Sequence, residues 1–192
     1  MSKRILVLLG HPSSSSFCSA LAGTYVEAAR AAGHQVKILR LGEMQFDPNL
    51  HEGYQQIQAL EPDLLDAQAA IEWAEHLVWV YPIWWGSVPA ILKGFLDRVF
   101  LPGFAFKYQP GKLWPDKLLS GRTAHLIVTL DTPPWYFRWI YRMPGVYQME
   151  KTTLAFCGIQ PVKTLQFGPV LNSTPSQREG WSIQVGQLAR TV

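Results

Sequence analysis

Cysteine is scarce in this chain of 192 residues, which contains only Cys18 and Cys157. Two cysteines cannot form the dense disulfide framework of a small secreted domain, and their positions match none of the paired spacings of a zinc site. The sequence therefore predicts neither a disulfide-stabilised scaffold nor a metal centre. A reducing, cytoplasmic compartment fits this cysteine usage best.

Charged residues are also few, at 16% of the chain with a formal net charge of +3. Such a chain lacks the concentrated basic patch that binding to a nucleic-acid backbone requires. Its longest apolar runs, such as residues 77–81, fall far short of the roughly 20 residues of a membrane helix, and no cleavable signal pattern opens the sequence. We therefore expect no nucleic-acid partner and no membrane span.

Hydrophobic residues are abundant, at 48% of the chain, and the length suits one compact domain over residues 1–192. Short apolar runs typical of buried parallel strands alternate with amphipathic stretches typical of helices. The last helix begins with a predicted capping box between Thr174 and Gln177. The strands are predicted at 4–9, 35–39, 76–81, 124–130 and 162–167, and the helices at 17–33, about 62–74, 89–100, a stretch ending near Gly158, and from Thr174 onward.

This alternation predicts a doubly wound α/β domain, in which helices cover both faces of a five-stranded parallel sheet. The expected strand order is 2-1-3-4-5. In such sheets ligands bind at the carboxyl ends of the strands, where the order reverses between the first and third strands. The loops after Leu9, Tyr81 and Leu130 are therefore the expected site.

The loop after the first strand, residues 10–17, carries four consecutive serines and leads into a helix. Its hydroxyl groups and free backbone amides converge on the positive end of the helix dipole, which favours an anion such as phosphate. The loop lacks both the Walker A pattern and the glycine fingerprint of dinucleotide-binding folds. We therefore predict a phosphate site that does not hydrolyse nucleoside triphosphates.

Two further segments place aromatic rings near the same edge. Residues 81–89 contain Trp84 and Trp85, of which we expect one to pack beneath the next helix and the other to face a planar ligand. Residues 104–108 alternate aromatic side chains, including Phe106 and Tyr108, and are able to form the wall of a flat pocket.

Four motifs in these segments resemble the NAD(P)H:quinone oxidoreductase (DT-diaphorase-like) family, whose members have the flavodoxin-like fold. The resemblance covers most of the chain but is looser after Leu130. Its most specific part is the block from Pro82 to Tyr108. The matching segments are Gly10-His11 with Ser15-Ser16-Phe17, Pro82-x-x-Trp85, residues 88–100 and Phe104-Ala105-Phe106-Lys107-Tyr108.

The resemblance implies a flavin cofactor, NAD(P)H as electron donor and a quinone or similar small aromatic acceptor. The flavin is FAD or FMN, and the loop length slightly favours FAD. The implied cofactor-binding residues are His11, Ser15, Ser16 and Phe17 beside the phosphate, and Pro82, Ile83 and Trp85 along the isoalloxazine ring.

Members of this family are usually homodimers with the active site at the subunit interface. The resemblance therefore implies that Trp85 of one chain forms the acceptor pocket with Phe106 and Tyr108 of the neighbouring chain. These three aromatic residues are the expected catalytic residues.

The chain departs from the family pattern after the fourth strand, where the family often has Thr-Thr-Gly-Gly and this chain has Thr129-Leu130-Asp131-Thr132-Pro133-Pro134. The two prolines remove two N–H donors, so we expect Thr129, Asp131 and Thr132 to supply the remaining contacts with the flavin. An Asp131 carboxylate near a reduced flavin would be repulsive. The family's proton donors are absent, and Tyr136 or Tyr141 is the candidate substitute.

Two alternatives remain at the level of sequence. Short relatives of the quinone reductases act as regulatory subunits of potassium-efflux transporters, and fold alone does not separate that role from catalysis. A serine hydrolase using the serines at 13–16 fits less well, because no Gly-x-Ser-x-Gly elbow is present and His125 is the last histidine. We expect structural roles for His76 and His125, and a packing role for Cys18 in preference to that of a reactive thiol.

Overall fold

The computed structural model describes all residues from Met1 to Val192 and contains one five-stranded parallel sheet. The sheet consists of β1 (Arg4–Leu9), β2 (Gln35–Arg40), β3 (His76–Pro82), β6 (Thr123–Thr129) and β7 (Val162–Phe167); a small inserted hairpin consists of β4 (Phe106–Lys107) and β5 (Asp116–Lys117). The strand order of the sheet is β2-β1-β3-β6-β7, which is the predicted order once the hairpin strands are counted.

The helices lie on both faces of this sheet because its central strands are buried on both sides. Every residue of β3 is buried, and successive side chains enter opposite hydrophobic clusters. The long helices are α1 (Phe17–Ala31), α2 (Pro62–Trp73), α3 (Ala90–Val99) and α7 (Pro175–Ala189). The cluster on one face contains α1 and α7, and that on the other contains α2 and α3. None of the helices is both long and apolar enough to cross a membrane.

The helix predicted to end near Gly158 is broken into pieces, which corrects the expectation of one continuous element. The pieces are α4 (Pro134–Trp139), α5 (Pro144–Tyr147), a π-helical stretch (Gln148–Leu154) and α6 (Ala155–Cys157). The break lies at Arg142 and Met143, whose φ angles of 59° and 50° are left-handed. The predicted end is confirmed, because Gly158 adopts φ +98° there, and the Thr174 capping box is also present.

A buried polar cluster holds the amino-terminal edge of the sheet to α1. The Tyr25 hydroxyl lies 2.9 Å from His125 Nδ1 and 3.3 Å from His76 Nε2, and His76 Nδ1 lies 2.6 Å from the Thr123 hydroxyl. Burial lowers the pKa of His125 to about 4 and that of His76 to about 2. Both histidines therefore have the structural role expected from the sequence.

This cluster predicts that the fold loses stability in mild acid. Both imidazoles have pKa values below their ordinary 6.5, so the unfolded chain binds more protons between about pH 4 and 6.5. The positive charges of Lys3 and Lys163 act in the same direction. We expect the free energy of unfolding to fall by about 3 kcal/mol between pH 7 and pH 5. Urea unfolding at several pH values measures this, and His125→Gln is expected to remove roughly half of the slope. An unchanged slope in that variant would contradict the assignment.

Candidate active site

Three loops meet at the carboxyl edge of the sheet, and backbone hydrogen bonds fix where each of them starts. Gly10 N–H donates to the Val80 carbonyl at 2.8 Å, and Ile83 N–H donates to the Thr129 carbonyl at 2.7 Å. These bonds continue the ladder past the ends of β1 and β3. The loops after β1, β3 and β6 therefore leave the sheet side by side, as the strand order predicts.

The serine loop ends in a well-formed helix cap. Ser16 Oγ accepts a hydrogen bond from Ser19 N–H at 3.2 Å and donates one to the Ser13 carbonyl at 2.9 Å. The first turn of α1 contains no acidic residue, and the N–H groups of Phe17 and Cys18 have no acceptor within the chain. The positive end of the helix is thus open to an anion.

His11 borders this loop as a neutral imidazole. Its Nδ1 accepts a hydrogen bond from Ser13 N–H at 2.9 Å, and its ring lies edge-on to Trp84 with 5.3 Å between the ring centroids. Burial lowers the pKa of His11, against the smaller opposite effect of the bond from Ser13. Because Nδ1 accepts, the ring proton lies on Nε2, which is left to donate to a ligand.

A cleft of about 180 Å³ lies between the three loops. It brings together most of the predicted cofactor-binding residues: His11, Ser16, Phe17, Pro82, Ile83, Thr129 and Asp131. Ser15 does not line this cleft, because its side chain points along the loop and its Oγ lies 3.0 Å from Ser13 Oγ. Ser15 is therefore close to the anion-binding loop but not part of the wall of the cleft.

Trp85 stands at the tip of a tight turn. Trp84 and Ser87 exchange two backbone hydrogen bonds of 3.0 Å, and the central residues Trp85 and Gly86 have φ angles of 51° and 77°. Two left-handed residues in this position form a type I′ turn, which is unfavourable for a bulky side chain. Trp85 is fully exposed and Trp84 is also exposed, so the expectation that one of them packs beneath the next helix is wrong.

A second cavity of about 680 Å³, which we call the slot, opens beside the cleft, and most of its lining residues are aromatic or aliphatic. Trp85 and Thr132, two of the residues predicted to contact the flavin or the acceptor, line it. Ile83 lines both this slot and the cleft, so the two cavities share a wall. The other residues of the slot are Gly86, Phe137, Ile140, Tyr141 and Pro144.

Close backbone contact holds the far wall of the slot in place. Gly145 packs so tightly on the turn that a Cβ at this position would lie 2.9 Å from the Gly86 carbonyl oxygen and from Ser87 Cα. Ser87 Oγ also donates a hydrogen bond to Gln148 Oε1 at 2.9 Å. The segment that carries Ile140 and Tyr141 is thereby fixed against the turn that carries Trp85.

Phe106 and Tyr108 do not reach this slot within the chain. Their rings contact each other at 5.5 Å and line a separate cavity of about 550 Å³ with Phe100 and Phe156. Tyr108 is exposed. A single chain thus keeps these two predicted catalytic residues apart from Trp85.

The residues that depart from the family pattern have structural roles. Asp131 Oδ1 accepts a hydrogen bond from Leu171 N–H at 2.6 Å, which ties the carboxylate to the loop after β7. Pro133 and Pro134 occupy the N-cap and first position of α4, where the missing N–H costs nothing. The two prolines therefore start the helix that carries the slot residues.

Cys18 lies beneath the cleft as a packing residue. It is buried, its Sγ lies 3.2 Å from Thr129 Oγ1, and burial raises the pKa of the thiol to about 11. The thiolate is therefore scarce at neutral pH. The serine hydrolase alternative also loses support, because no serine hydroxyl of residues 13–16 bonds to a histidine side chain.

Two features of the site were not predicted from the sequence. Arg178 of α7 lies over the Phe17 ring at 5.4 Å and donates to the Val170 carbonyl at 3.1 Å, which places a cation beside the anion loop. Ile140 and Phe137 also join the slot. The aromatic run from Trp135 to Tyr141 was the available signal for the slot residues, whereas nothing near Arg178 in sequence indicates its position.

Comparison with known proteins identifies the family. A family model described by its flavodoxin-like fold matches residues 3–184. An NAD(P)H oxidoreductase of Haemophilus influenzae is 38% identical over 86% of this chain and 83% of its own length. The ribosyldihydronicotinamide dehydrogenase (quinone) of Pongo abelii is 29% identical over 99% of this chain and 92% of its own length.

Solved structures show the same fold over the full chain. The NAD(P)H:quinone oxidoreductase of Methanothermobacter marburgensis superposes with a TM-score of 0.82 at 23% identity, covering 99% of this chain and 98% of that one. An FMN-dependent NADH-azoreductase of Bacillus anthracis, solved with FMN, gives a TM-score of 0.76 at 16% identity, covering 100% and 99%. The chain therefore belongs to the flavodoxin-like family and, within it, to the NAD(P)H oxidoreductases.

Proposed function

We propose that this protein is a flavin-dependent oxidoreductase that takes electrons from NAD(P)H and reduces quinones or similar small aromatic acceptors. The observation that carries the proposal is the Ile83 wall that an anion-binding cleft shares with a slot lined by aromatic and aliphatic residues. A flavin is a single molecule with a phosphate at one end and a planar ring at the other. A cleft at the N-terminus of a helix, next to a slot with aromatic residues in its wall, matches both of its ends.

The polar end fits a flavin phosphate on three counts. The amides of Phe17 and Cys18 are open, no acidic residue opposes an anion in the first turn, and the Arg178 guanidinium lies beside the loop. His11 Nε2 supplies a further neutral donor. The mass of the cofactor released from purified protein identifies whether FMN or FAD is bound.

The slot fits the planar ring of the flavin, and its side chains serve substrate binding and proton supply. A bound flavin supplies the hydride-accepting chemistry that protein side chains lack. Trp85 and Ile140 line the slot with apolar side chains, and Thr132 lines it with a hydroxyl group. Of the two candidate proton donors, only Tyr141 lines the slot. The Tyr136 ring packs edge-on against the Tyr141 ring, with 5.0 Å between the ring centroids. We assign proton donation to the Tyr141 hydroxyl.

We further propose a homodimer in which Phe106 and Tyr108 complete the partner's slot. Tyr108 is exposed, and the cavity that it lines with Phe106 is open and largely apolar on the single chain. Burial of such a surface against a second copy would remove apolar area from water. Sedimentation velocity of the purified protein tests this assembly.

Replacing Ser16 with Asp is expected to release the flavin. The substitution brings a carboxylate to the phosphate site in place of a hydroxyl, and like-charge repulsion in a partly buried site costs several kcal/mol, on the order of a thousandfold in flavin affinity. Fluorescence titration of flavin-free protein measures the affinity.

Ser2→Asp is the control, since it makes the same change at an exposed serine just before β1, at the opposite edge of the sheet from the cleft. It is expected to retain the flavin at the level of the unmodified protein. Normal flavin binding by the Ser16 variant would show that the phosphate lies elsewhere.

Turnover is expected to be ping-pong, because one slot must serve the nicotinamide and then the acceptor. Initial rates at several quinone concentrations should give parallel double-reciprocal lines for NAD(P)H. Intersecting lines would mean that both substrates bind at once and would overturn the single-slot mechanism.

Tyr108→Ala is expected to raise KM for the quinone by about tenfold through lost aromatic contact, with the flavin still bound.

Trp85→Asn is expected to stabilise the fold while reducing activity. Asn adopts the left-handed conformation more readily than a bulky aromatic residue, so relief of strain should raise the free energy of unfolding by about 1 kcal/mol. Loss of the ring removes a wall of the slot, so kcat/KM for the quinone should fall by about tenfold. Urea unfolding of flavin-free protein and steady-state kinetics measure the two effects. A destabilised variant would contradict the strain at this turn.

A further inference from the structure

We propose that the segment from Pro134 to Arg142 docks this protein onto the surface of an anionic membrane, with the slot facing the bilayer. We call this segment the aromatic platform. Its exposed side chains are Trp135, Trp139, Ile140 and Tyr141, together with Arg138 and Arg142. The inference rests on the proposed function in one respect, namely that the acceptor is a quinone, a class with lipid-soluble members.

The aromatic platform exposes more apolar area than a solvated helix requires. Trp135 is 64% exposed and Trp139 is 71% exposed, and they lie four residues apart in α4. Residues four apart share one face of a helix. Isolated surface aromatics need no explanation, but a contiguous group of large apolar side chains marks an interaction surface.

Burial and hydrogen bonds hold the backbone of the aromatic platform in place. Phe137 is buried in the core between the two exposed tryptophans. Met143 N–H donates to the Phe137 carbonyl at 3.0 Å, and Met143 Sδ accepts a hydrogen bond from Gln166 Nε2 at 2.9 Å. The exposure of Trp135 and Trp139 is therefore built into the fold.

The charge of the platform selects the partner. No Asp or Glu occurs from residue 132 to residue 149, and Arg138 and Arg142 form no ion pair. The Arg138 guanidinium lies 5.5 Å from the Trp139 ring, so cation and aromatic ring are presented together. Tryptophan and tyrosine favour the interfacial layer of a bilayer, and arginine is attracted to anionic headgroups. This combination fits a negatively charged lipid surface.

The position of the platform gives the docking a consequence for the site. Ile140 and Tyr141 belong to the platform and also line the slot. A bilayer in contact with Trp135 and Trp139 would therefore lie at the mouth of the slot. An apolar acceptor dissolved in the lipid would reach the slot without crossing water.

Vesicle flotation tests the proposal with the flavin-loaded protein. We expect binding to vesicles of equal parts phosphatidylglycerol and phosphatidylcholine, weaker binding to phosphatidylcholine alone, and release at high salt. The double variant R138Q/R142Q should weaken binding by about fivefold for each arginine removed. The double variant W135S/W139S should weaken it by at least about tenfold, since each ring loses its apolar burial.

Matched controls separate the platform from general surface chemistry. Trp114→Ser removes a tryptophan that is 73% exposed on the inserted hairpin, and Arg190→Gln removes an exposed arginine in the last turn of the chain. Both controls are expected to bind vesicles like the unmodified protein. Equal weakening by the controls, or no binding of the unmodified protein to anionic vesicles, would overturn the proposal.

Two further readouts identify other outcomes. If W135S/W139S changes the sedimentation coefficient but not vesicle binding, the platform is a contact between copies of this chain and the membrane proposal is wrong. Turnover of NAD(P)H with a water-soluble quinone, measured without vesicles, tests the proposed function separately. A protein that turns over but does not bind vesicles refutes the docking alone, and one that binds vesicles but does not turn over refutes the proposed function alone.

Discussion

The parallel pairing of β3 with β1 on one side and β6 on the other is the constraint on which the site depends. β3 is buried along its whole length, so its two faces must each be covered by helices. Crossover connections then force every loop at the carboxyl edge to leave toward the same end of the sheet. Hydrogen bonds from Gly10 to Val80 and from Ile83 to Thr129 extend this alignment into the loops themselves.

The two edges of the sheet differ in whether their polar groups have hydrogen-bond partners within the chain. At the amino-terminal edge, Tyr25, His76 and His125 satisfy one another in a closed, buried cluster. At the carboxyl edge, the helix dipole of α1 and the amides of its first turn are left open. Polar groups removed from water need partners, and the open amides of α1 lie where a bound anion is able to satisfy them.

The strained backbone conformations of this chain lie together at the carboxyl edge of the sheet. Trp85, Arg142 and Met143 are the non-glycine residues with positive φ, and all three lie in the turn or the segment that forms the slot. Such backbone conformations persist only where surrounding contacts impose them. Here the close packing of Gly145 on the turn is one contact that holds both pieces. This contact joins the turn that carries Trp85 to the segment that forms the slot and the aromatic platform.

The sequence by itself determined the fold, the strand order and the location of the cleft. These follow from the alternation of apolar strands with helices and from the serine loop before α1, which are local patterns with fixed periods and caps. The family resemblance pointed to most of the residues that line the cleft, including His11, Ser16 and Ile83.

Only the tertiary structure decided how the segment after β6 is broken, where Arg178 lies, and which cavity Phe106 and Tyr108 line. Each of these depends on contacts between residues far apart in sequence, such as Gly145 with the 84–87 turn and Arg178 with Phe17. Pro144 is a local signal that a helix is interrupted near Met143, because the residue before a proline disfavours the α-helical conformation. The left-handed backbone of Arg142 and Met143 and the position of the next piece against the 84–87 turn are decided only in the folded chain.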